Sequence, residues 1–500
     1  MSYYFRVYVD ARTKNLLDSY TYKYNTPLKI GALVKVSFNR RTLHGIVGEE
    51  ITKPPTTTYK IATIKKVLSA NPLIDKSAIE FCRWMSHHYG APLGPTIFNI
   101  LPKLTALPAN PPSISWHKQE GEKPALYIAP LSKRLNYYSQ LINNTPHGQT
   151  ILLMPTYRLV DFALTYFAEV MGAENVLELS DRLGVLKTRR NLSWIKHGKI
   201  KLIIGTRKTI FAPAPLLQRI IIDSPTNFSY YNEQTPNYRA DDIALALNRR
   251  FGTKLVLGDA IPNVEYYSFI ASGKVLVKSG AKNEKKATLI WQQNKLVKSL
   301  SYTSKNLRAI ITPYANHDSI KELLDGQETG SLSSTATNLD IPKIRPYTLL
   351  ATKKILDFPD LWFDEILISD ADKWLSLPSH DASYDFITLV WRLWQQAREQ
   401  IVIQSERSIP LIEKLLSQRP TLTYSTFYKT RHTFKLPPVT YEIKLVGKSL
   451  EKIKQLLPAQ LAVVVENNAI TAYFPRTMWP PKNIEELYRQ CEKIKVNPPS

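Results

Sequence analysis

Four apolar runs decide the fold of this chain: Thr150-Ile151-Leu152-Leu153-Met154, Ile200-Lys201-Leu202-Ile203-Ile204, Arg219-Ile220-Ile221-Ile222-Asp223 and Lys254-Leu255-Val256-Leu257-Gly258. Stretches with the periodicity of helices separate them. Strands that are apolar along their whole length and alternate with helices are typical of a parallel sheet covered on both faces. The pattern therefore predicts an α/β lobe over residues 125–275.

A second set of apolar runs lies further along the chain. They are Arg308-Ala309-Ile310-Ile311, Glu365-Ile366-Leu367-Ile368 and Gln400-Ile401-Val402-Ile403. These runs predict a second α/β lobe over residues 276–428. Within it, the stretch 325–342 is rich in Ser, Thr and Gly, and we expect it to form a loop.

The N-terminal residues 1–104 have a different pattern. Tyr3–Val9 is extended and aromatic, and Ala32–Phe38 alternates apolar with polar side chains, as a half-buried strand does. An amphipathic helix is expected over Ser77–His88, and a basic turn at Arg40-Arg41. These features predict a β-rich domain.

Two further segments complete the predicted organisation. Residues 105–124 are proline-rich and lack periodicity, so we expect a linker. Residues 429–500 read as a β–α–β–β–α unit that ends in a helix over Glu485–Lys493. The predicted fold class is a multidomain α/β chain with a β-rich N-terminal domain, two parallel-sheet lobes and a small α+β C-terminal domain.

Composition indicates a polyanionic partner. The 500 residues include 66 Lys and Arg against 42 Asp and Glu, which gives a formal net charge of +24. Residues 1–104 alone hold 15 basic and 6 acidic side chains. Such a surplus on a folded chain points most simply to nucleic acid.

Cysteine and hydropathy exclude several classes of protein. The only two cysteines, Cys82 and Cys491, cannot form a four-cysteine zinc site or a disulfide framework. His87 and His88 are adjacent on a predicted helix and point to different faces, so we expect a solvated helix end and no metal site. No apolar run reaches bilayer length and the N-terminus lacks signal-peptide features, so the expected location is cytoplasmic.

The turn before the first helix of the first lobe tests for nucleotide chemistry. A P-loop needs glycines whose N–H groups wrap phosphate, a lysine, and a hydroxyl for Mg²⁺. The turn has Lys133 but no glycine, Arg134 stands where the hydroxyl belongs, and Pro130 removes a donor. Ordinary ATP binding is therefore not expected.

The motif Gly205-Thr206-Arg207-Lys208-Thr209-Ile210-Phe211-Ala212-Pro213 resembles G-T-R-S-A-x-F-A-P of the primosomal replication-restart helicases (primosomal protein N′, PriA). Other segments resemble this family in the family's own order: Gly31–Phe38, Tyr89–Gly94, Ile220–Thr226, Phe228–Tyr230, Pro236–Asp242, Leu257–Asn263, Asp357–Asp360, Asp370–Pro378 and, more weakly, Lys495–Pro499. The resemblance implies two RecA-like lobes of the superfamily 2 type and a 3′-end DNA-binding N-terminal domain.

The departures from this family concentrate on ATP chemistry. No acidic residue follows Asp223, and Asp259 and Ile261 replace a small hydroxyl pair. The segment Arg392–Arg398 lacks the glycines of the arginine-finger motif, with Arg398 as its match. The family's zinc-binding cysteines are absent, and the 105–124 linker replaces its winged-helix domain. We therefore expect relic positions at Lys133, Asp223 and Arg398, no catalytic residue, and neither ATP with Mg²⁺ nor zinc as cofactor.

The resemblance also implies which residues bind DNA. In the N-terminal domain they are Tyr20, Thr21 and Tyr22 in the 3′-end pocket, Asn39 beside it, and Lys35, Arg40 and Arg41 on the backbone. In the first lobe they are Arg207 and Lys208 on phosphates, and Tyr230, Tyr231, Tyr238 and Arg239 stacked on single-stranded bases. The alternative is that these tyrosines are ordinary packed residues.

Three functions remain open from the sequence. The first is an ATPase-inactive replication-restart protein, presumed monomeric in this hypothesis, that recognises forks or 3′ ends and serves as a platform for loading the replicative helicase. Its partners would be branched or single-stranded DNA, the replicative helicase or its loader, and single-stranded DNA-binding protein, with no membrane. The second is a divergent but active 3′–5′ DNA helicase, and the third is a general single-stranded nucleic-acid scaffold.

Overall fold

Four β-sheets follow one another along the chain, and helices or other sheets cover their faces. The computed structural model describes residues 2–13, 15–52, 60–145, 147–261, 264–279, 287–293, 295, 307–313, 317–324, 327–332, 339, 341–342, 346–358, 360–376, 382–407, 410–417 and 420–497.

The N-terminal domain is a five-stranded antiparallel sheet in the order β2-β1-β4-β3-β5, followed by two helices. Its elements are β1 (Tyr3–Val9), β2 (Tyr20–Tyr24), β3 (Leu33–Phe38), β4 (Arg41–Glu50), β5 (Lys66–Ser69), α1 (Lys76–His88) and α2 (Leu93–Ile100). Asn39 and Arg40 form the turn between β3 and β4 with φ of 45° and 61°. Two residues with positive φ match the twist of a hairpin. The turn lies one residue before the predicted Arg40-Arg41, because Arg41 already pairs with Phe38.

Residues 105–124 pack against the domains on either side. Ile114 and Trp116 are buried, and the Ile114 N–H donates to the Leu73 carbonyl at 2.9 Å. The Trp116 ring lies 4.9 Å from that of Phe81 in α1 and 5.9 Å from that of Phe251 in the first lobe. The segment predicted as a linker therefore anchors Ile114 and Trp116 in the interior, while residues 117, 118 and 120–123 are exposed.

The first lobe is a seven-stranded parallel sheet in the order β12-β6-β11-β10-β7-β9-β8. Its elements are β6 (Ala125–Ile128), α3 (Leu131–Asn143), β7 (Gln149–Leu153), α4 (Tyr157–Met171), β8 (Val176–Glu178), α5 (Val185–Lys196), β9 (Leu202–Gly205), β10 (Leu217–Asp223), α6 (Ala240–Phe251), β11 (Lys254–Asp259), α7 (Val264–Ala271) and β12 (Leu276–Ser279). Strand β12 pairs in parallel with β6, so this lobe extends past the predicted boundary at 275.

The second lobe is a six-stranded parallel sheet in the order β13-β18-β17-β14-β16-β15. Its elements are β13 (Thr288–Gln293), β14 (Leu307–Ile311), α8 (Asp318–Leu323), β15 (Thr329–Ser331), β16 (Tyr347–Ala351), β17 (Phe363–Ile368), α9 (Ala371–Leu375), α10 (Ala382–Trp394), β18 (Ala397–Ser405), α11 (Pro410–Ser417) and α12 (Pro420–Thr433). Strand β15 lies inside the predicted loop 325–342 because it pairs in parallel with β16. Helix α12 continues beyond the predicted boundary at 428.

The C-terminal domain is a four-stranded antiparallel sheet in the order β20-β21-β19-β22. Its elements are β19 (Thr440–Val446), α13 (Leu450–Gln455), β20 (Ala462–Glu466), β21 (Ala469–Pro475), α14 (Ile484–Gln490) and β22 (Lys493–Asn497). Lys493 begins a strand instead of ending the predicted helix. The Trp479 indole donates to the His88 carbonyl at 2.9 Å, which joins this domain to α1.

The predicted fold class is confirmed, with a β-rich N-terminal domain, two parallel-sheet α/β lobes and a small α+β C-terminal domain. None of the described helices has the length and apolar character that crossing a membrane requires.

Candidate functional site

Only Ala129 and Pro130 connect β6 to α3, at the position of a nucleotide-binding loop. The Ala129 N–H donates to the Asp259 carbonyl at 3.0 Å, and proline has no N–H. The Ala129 carbonyl accepts from Arg134 Nη1 at 2.7 Å. The connection is too short, and too fully bonded to its own chain, to wrap a phosphate with backbone donors.

Behind this connection, Arg134 forms a buried ion pair with Asp223, the last residue of β10. Arg134 Nε lies 2.7 Å from Asp223 Oδ1, and Nη2 lies 2.9 Å from Oδ2. The Tyr138 hydroxyl donates to Oδ1 at 2.9 Å and the Ser224 hydroxyl to Oδ2 at 3.2 Å. A carboxylate has about four lone-pair sites, so these four donors satisfy it.

The Arg134 guanidinium is a fixed positive charge at this site. Burial acts to lower the pKa of Arg134, but the adjacent carboxylate of Asp223 outweighs it and raises that pKa. Mg²⁺ bound at Asp223 would need the lone pairs that Arg134, Tyr138 and Ser224 occupy. The residues present therefore do not fit a nucleotide with its Mg²⁺. Among the described residues, no group of three His, Cys, Asp or Glu side chains is arranged to hold a metal ion.

Arg392, on α10 of the second lobe, reaches the first lobe. Its Nη2 lies 3.1 Å from Asp259 Oδ2 and 3.3 Å from Thr226 Oγ1. Arg398, the sequence match to an arginine finger, is exposed and pairs with Asp364 of its own lobe at 3.4 Å. Arg398, predicted as the relic finger position, lies in β18 and pairs within its own lobe, whereas Arg392 contacts the first lobe.

The hairpin turn of the N-terminal domain presents the positive charge predicted there. Arg40 and Arg41 are exposed at the turn and at the start of β4. Lys35 is half-buried on β3 and lies opposite Lys66 of β5. Lys65, the residue before Lys66, is exposed, and its ammonium lies 2.7 Å from Thr42 Oγ1. Pattern reading missed Lys65 and Lys66 because only the strand pairing brings them to this hairpin.

The tyrosines of β2 face the interior of the same sheet. Tyr22 is 3% exposed and its hydroxyl donates to the Ser37 carbonyl at 2.8 Å. Burial raises the pKa of Tyr22 to about 12. The Tyr20 ring packs edge-on against Phe38 at 4.8 Å, while Thr21 lies opposite Arg6. Tyr22 is therefore a core residue, which withdraws it as a base-stacking residue, and Tyr20 is partly committed to packing.

Each lobe carries a basic turn directly after an interior strand. In the first lobe, Thr206 precedes the short 3₁₀ helix Arg207–Phe211 with φ −94° and ψ −169°. In the second, Thr352 precedes the 3₁₀ helix Lys353–Asp357 with φ −98° and ψ −169°. The two turns have the same backbone conformation, so Lys353 and Lys354 are the counterparts of Arg207 and Lys208. Sequence comparison missed this pair because only the shared backbone relates the two turns.

The side chains of the first turn remain accessible. Arg207 is half-exposed, with Nη1 3.4 Å from the Ser229 carbonyl. Lys208 lies 3.8 Å from Asp181, and the two side chains are 33% and 50% exposed. Such an exposed pair is weak and readily exchanged for a phosphate.

Three residues of the predicted aromatic and basic loop are interior. The Tyr230 hydroxyl donates to the Asp223 carbonyl at 2.8 Å, and the Tyr238 ring packs on Phe211 at 5.3 Å. Arg239 is 9% exposed and binds Asp241 Oδ2 at 2.8 Å and Glu265 Oε2 at 2.9 Å. Packing and ion pairing therefore occupy these three side chains, which withdraws them as DNA contacts.

The accessible aromatic of this loop is Phe228. It is 76% exposed, and its ring lies 6.0 Å from that of half-buried Tyr231, with 22° between the planes. Both line a cleft of about 1600 Å³ between the lobes and the C-terminal domain. Lys353 and Lys354 line the same cleft. Phe228 was part of the quoted motif but was not predicted as a contact; its exposure is what identifies it.

The two adjacent histidines of α1 have different environments, as expected from helix geometry. His88 is not solvated, because it is 6% exposed and lies 3.1 Å from Asp242 Oδ2. The Tyr89 hydroxyl donates to the same oxygen. This cluster fastens the N-terminal domain to α6 of the first lobe.

Comparison with known proteins finds one matching domain model and several relatives of this chain. Residues 6–102 match the sequence model of the PriA 3′DNA-binding domain (3′BD). The replication restart protein PriA of Helicobacter pylori strain J99 is 25% identical over 324 residues, which is 60% of this chain and 51% of that protein. PriA of Rickettsia conorii is 28% identical over 271 residues, 49% of this chain and 41% of that protein. The chain spans about half the length of the curated relatives it matches.

Solved helicase structures are also similar. The DUF1998 helicase MrfA bound to DNA has a TM-score of 0.41 at 11% identity, over 71% of this chain and 55% of that one. The Escherichia coli DEAH/RHA helicase HrpB has a TM-score of 0.39 at 13% identity, over 63% of this chain and 48% of that one.

Proposed function

We propose that this chain is a DNA-binding replication-restart protein of the PriA type that works without ATP hydrolysis, because residues 6–102 match the PriA 3′DNA-binding domain and PriA proteins are similar to 49–60% of the chain. It recognises forks or 3′ ends of DNA and serves as a platform on which the replicative helicase is loaded. The buried pair of Arg134 with Asp223 is the observation that carries the ATP-independent part of this proposal.

The hairpin of the N-terminal domain supports the DNA-binding part. It belongs to the segment that matches a 3′DNA-binding domain, and it exposes Arg40 and Arg41 at its tip. Lys35, Lys65 and Lys66 extend this positive charge across β3 and β5. Positive side chains on an exposed turn displace counterions from phosphates, which makes binding salt-dependent.

The cleft between the lobes supports a path for a single strand. Lys353 and Lys354 line this cleft, Lys354 with its ammonium 2.8 Å from Asp357 Oδ2, and Lys353 offers a phosphate contact. Arg207 and Lys208 stand on the corresponding turn of the first lobe and offer contacts from there. Phe228 offers a face on which a base can stack. A sequence-independent site for single-stranded DNA needs these two kinds of contact, charge for the backbone and an aromatic face for the bases.

The nucleotide position supports inactivity in ATP hydrolysis. Phosphoryl transfer depends on positioned cations and on a residue that orients the attacking water. Here Arg134 saturates the Asp223 carboxylate, Ser224 follows it, and Ala129 and Pro130 form no cradle. ATP with Mg²⁺ and zinc are accordingly proposed not to be cofactors of this chain.

The platform role and its protein partners rest on the family resemblance. The proposed partners are the replicative helicase or its loader and single-stranded DNA-binding protein, with this chain acting as a monomer. A protein that holds fork DNA without moving along it could mark the site for loading.

Competition binding of labelled forks tests the proposal. The wild-type chain is expected to prefer a fork with a free 3′ end over one whose end is blocked, and over an unstructured strand of equal length. Affinity should fall steeply with salt and be unchanged by ATP. Equal affinity for all three DNAs would support a general single-strand scaffold instead, and ATP-dependent strand separation would support an active helicase.

A further inference from the structure

Two departures from the resembled motif lie at the junction of the two lobes. Asp259 ends β11 and Ile261 follows two residues later, where the family has a small hydroxyl pair. Both side chains contact the second lobe. These contacts give a structural reason for the replacement of the small hydroxyl pair by Asp259 and Ile261.

Asp259 makes the polar part of this junction. Its carboxylate is 1% exposed and accepts from Arg392 Nη2 of the second lobe at 3.1 Å. The Ala260 N–H donates to Asp259 Oδ1 at 2.7 Å, which fixes the carboxylate from its own side. Arg392 also reaches Thr226 at 3.3 Å, so one guanidinium joins two loops of the first lobe.

Ile261 makes the apolar part. It is 4% exposed and, together with fully buried Val264, belongs to the apolar core of the second lobe. Tyr267 extends the same contact, with its ring 5.4 Å from that of Tyr428 on α12. First-lobe side chains thus complete the second lobe's core.

A second link joins the lobes at another point. Arg158, at the start of α4, lies 3.2 Å from Asp360 Oδ1. The same guanidinium lies 4.2 Å from the ring centroid of Phe358, which is fully buried in the second lobe. Two arginines, one from each lobe, therefore cross the junction in opposite directions.

We propose that Asp259, Ile261 and Arg392 form a lock that holds the two lobes closed without a nucleotide. Domains of one chain move relative to each other unless their interface is extensive and apolar. Here the ion pair lies beside a shared apolar core, with Asp259 1% and Arg392 18% exposed. A largely buried ion pair is costly to break by removing one partner.

The lock has a consequence for the two basic turns. With the lobes fixed, Arg207 and Lys208 keep a constant separation from Lys353 and Lys354. A DNA strand that spans both turns then binds a preformed site. Binding does not have to order the two lobes, because folding has already done so. The lock is a property of the chain without DNA, so it can be tested independently of fork recognition.

Distance measurement between spin labels on the full-length chain tests the lock. Both natural cysteines, Cys82 and Cys491, are buried. Labels are placed at Glu169→Cys on α4 and Lys321→Cys on α8, which are exposed positions of different lobes. The unlocked variant adds Asp259→Ser and Ile261→Thr, and the matched control adds Arg398→Ala, which removes an exposed arginine from the same segment as Arg392.

The wild type and the Arg398→Ala control are expected to give one narrow distance distribution that millimolar ATP with Mg²⁺ does not shift. The unlocked variant is expected to broaden and to gain longer distances. A wild-type distribution that is already broad, or that narrows with nucleotide, would overturn the lock. So would an unlocked variant that keeps the narrow distribution.

A charge reversal keeps the test decisive if the unlocked variant folds poorly. Asp259→Arg alone places two guanidinium groups against each other and is expected to open the lobes. Asp259→Arg combined with Arg392→Asp is expected to restore the narrow distribution. If Asp259→Arg broadens the distance distribution and the added Arg392→Asp does not narrow it again, the two residues do not pair directly.

Discussion

Arg134 and Asp223 meet through both prongs of the guanidinium, with Nε 2.7 Å from Oδ1 and Nη2 2.9 Å from Oδ2, inside the first lobe. An arginine side chain thus occupies the position where a motor of this fold would hold its catalytic cation. In the proposed function, this ion pair closes the nucleotide position within the folded core.

Replacement of Arg134 by alanine should therefore destabilise the chain. It would leave the Asp223 carboxylate buried without its ionic partner. Such a change lowers the free energy of unfolding by about 3–5 kcal/mol in comparable cases. The change Asn136→Ala, at an exposed position of the same helix, should cost less than about 0.5 kcal/mol. Urea unfolding measures both, and an Arg134→Ala loss as small as that of the control would contradict the account.

Replacement of Gly258 should also destabilise the chain, because Tyr138 and Arg134 pack closely against it. A Cβ there would lie 1.6 Å from the Tyr138 hydroxyl and 3.2 Å from Arg134 Cδ. Gly258→Ala should therefore destabilise by about 1–3 kcal/mol or more, as overpacked cores do. At Gly121 a Cβ would meet only Gly252 Cα, at 3.7 Å, so Gly121→Ala is the control and should be near neutral in thermal unfolding. Equal melting temperatures for the two variants would be incompatible with the packing described.

The double change Arg40→Ala with Arg41→Ala should weaken fork binding and flatten its salt dependence. Each lost phosphate contact should lower the slope of log affinity against log salt by about 0.7–0.9. Lys448→Ala, an exposed basic residue of the C-terminal domain, is the control. Fluorescence anisotropy at several salt concentrations measures the slope, and an unchanged slope would remove the hairpin from the DNA site.

Phe228 and Tyr230 should separate binding from folding. Phe228→Ala removes an exposed ring and should cost about 1–3 kcal/mol of single-strand affinity with little change in melting temperature. Tyr230→Phe removes a hydroxyl that donates to the Asp223 carbonyl at 2.8 Å, so it should lower stability by about 1 kcal/mol and leave affinity intact. The reverse pattern would restore Tyr230 as the stacking residue.

Acid should loosen the junction of the N-terminal domain with the first lobe. Burial acts to raise the pKa of Asp242, but His88 and the Tyr89 hydroxyl outweigh it, so that pKa lies below its ordinary value. A carboxyl with a lowered folded-state pKa adds stability above its unfolded pKa of about 3.9, and that stability is lost as pH falls below it. Asp242→Asn should remove this part of the acid-unfolding curve, and a curve identical to the wild type below about pH 4 would contradict it.

The sequence was sufficient for the fold but only partly for the site. The runs at 219–223 and 254–258 lie within β10 and β11, because continuous apolar runs have few alternatives to a buried parallel strand. The strand β15 was missed, since Thr329–Ser331 is short and polar and is held only by pairing with β16. The predicted boundary at 275 was wrong because β12, which follows it, pairs with β6 of the first lobe.

Local pattern does not tell a stacking aromatic from a packed one. Tyr230 and Phe228 stand two positions apart in one motif, yet one is 1% and the other 76% exposed. Only the fold decides which of them faces the cleft. The same holds for Arg392, whose partner Asp259 is far away in sequence and belongs to another lobe.

Calorimetric titration of ATP with Mg²⁺ into the chain bound to a fork with a free 3′ end tests the central claim most directly. The account predicts a saturable heat when the fork is added and no saturable heat when millimolar nucleotide follows. A saturable ATP isotherm that disappears in Lys133→Ala would contradict the claim that Arg134 and Asp223 have closed the nucleotide site.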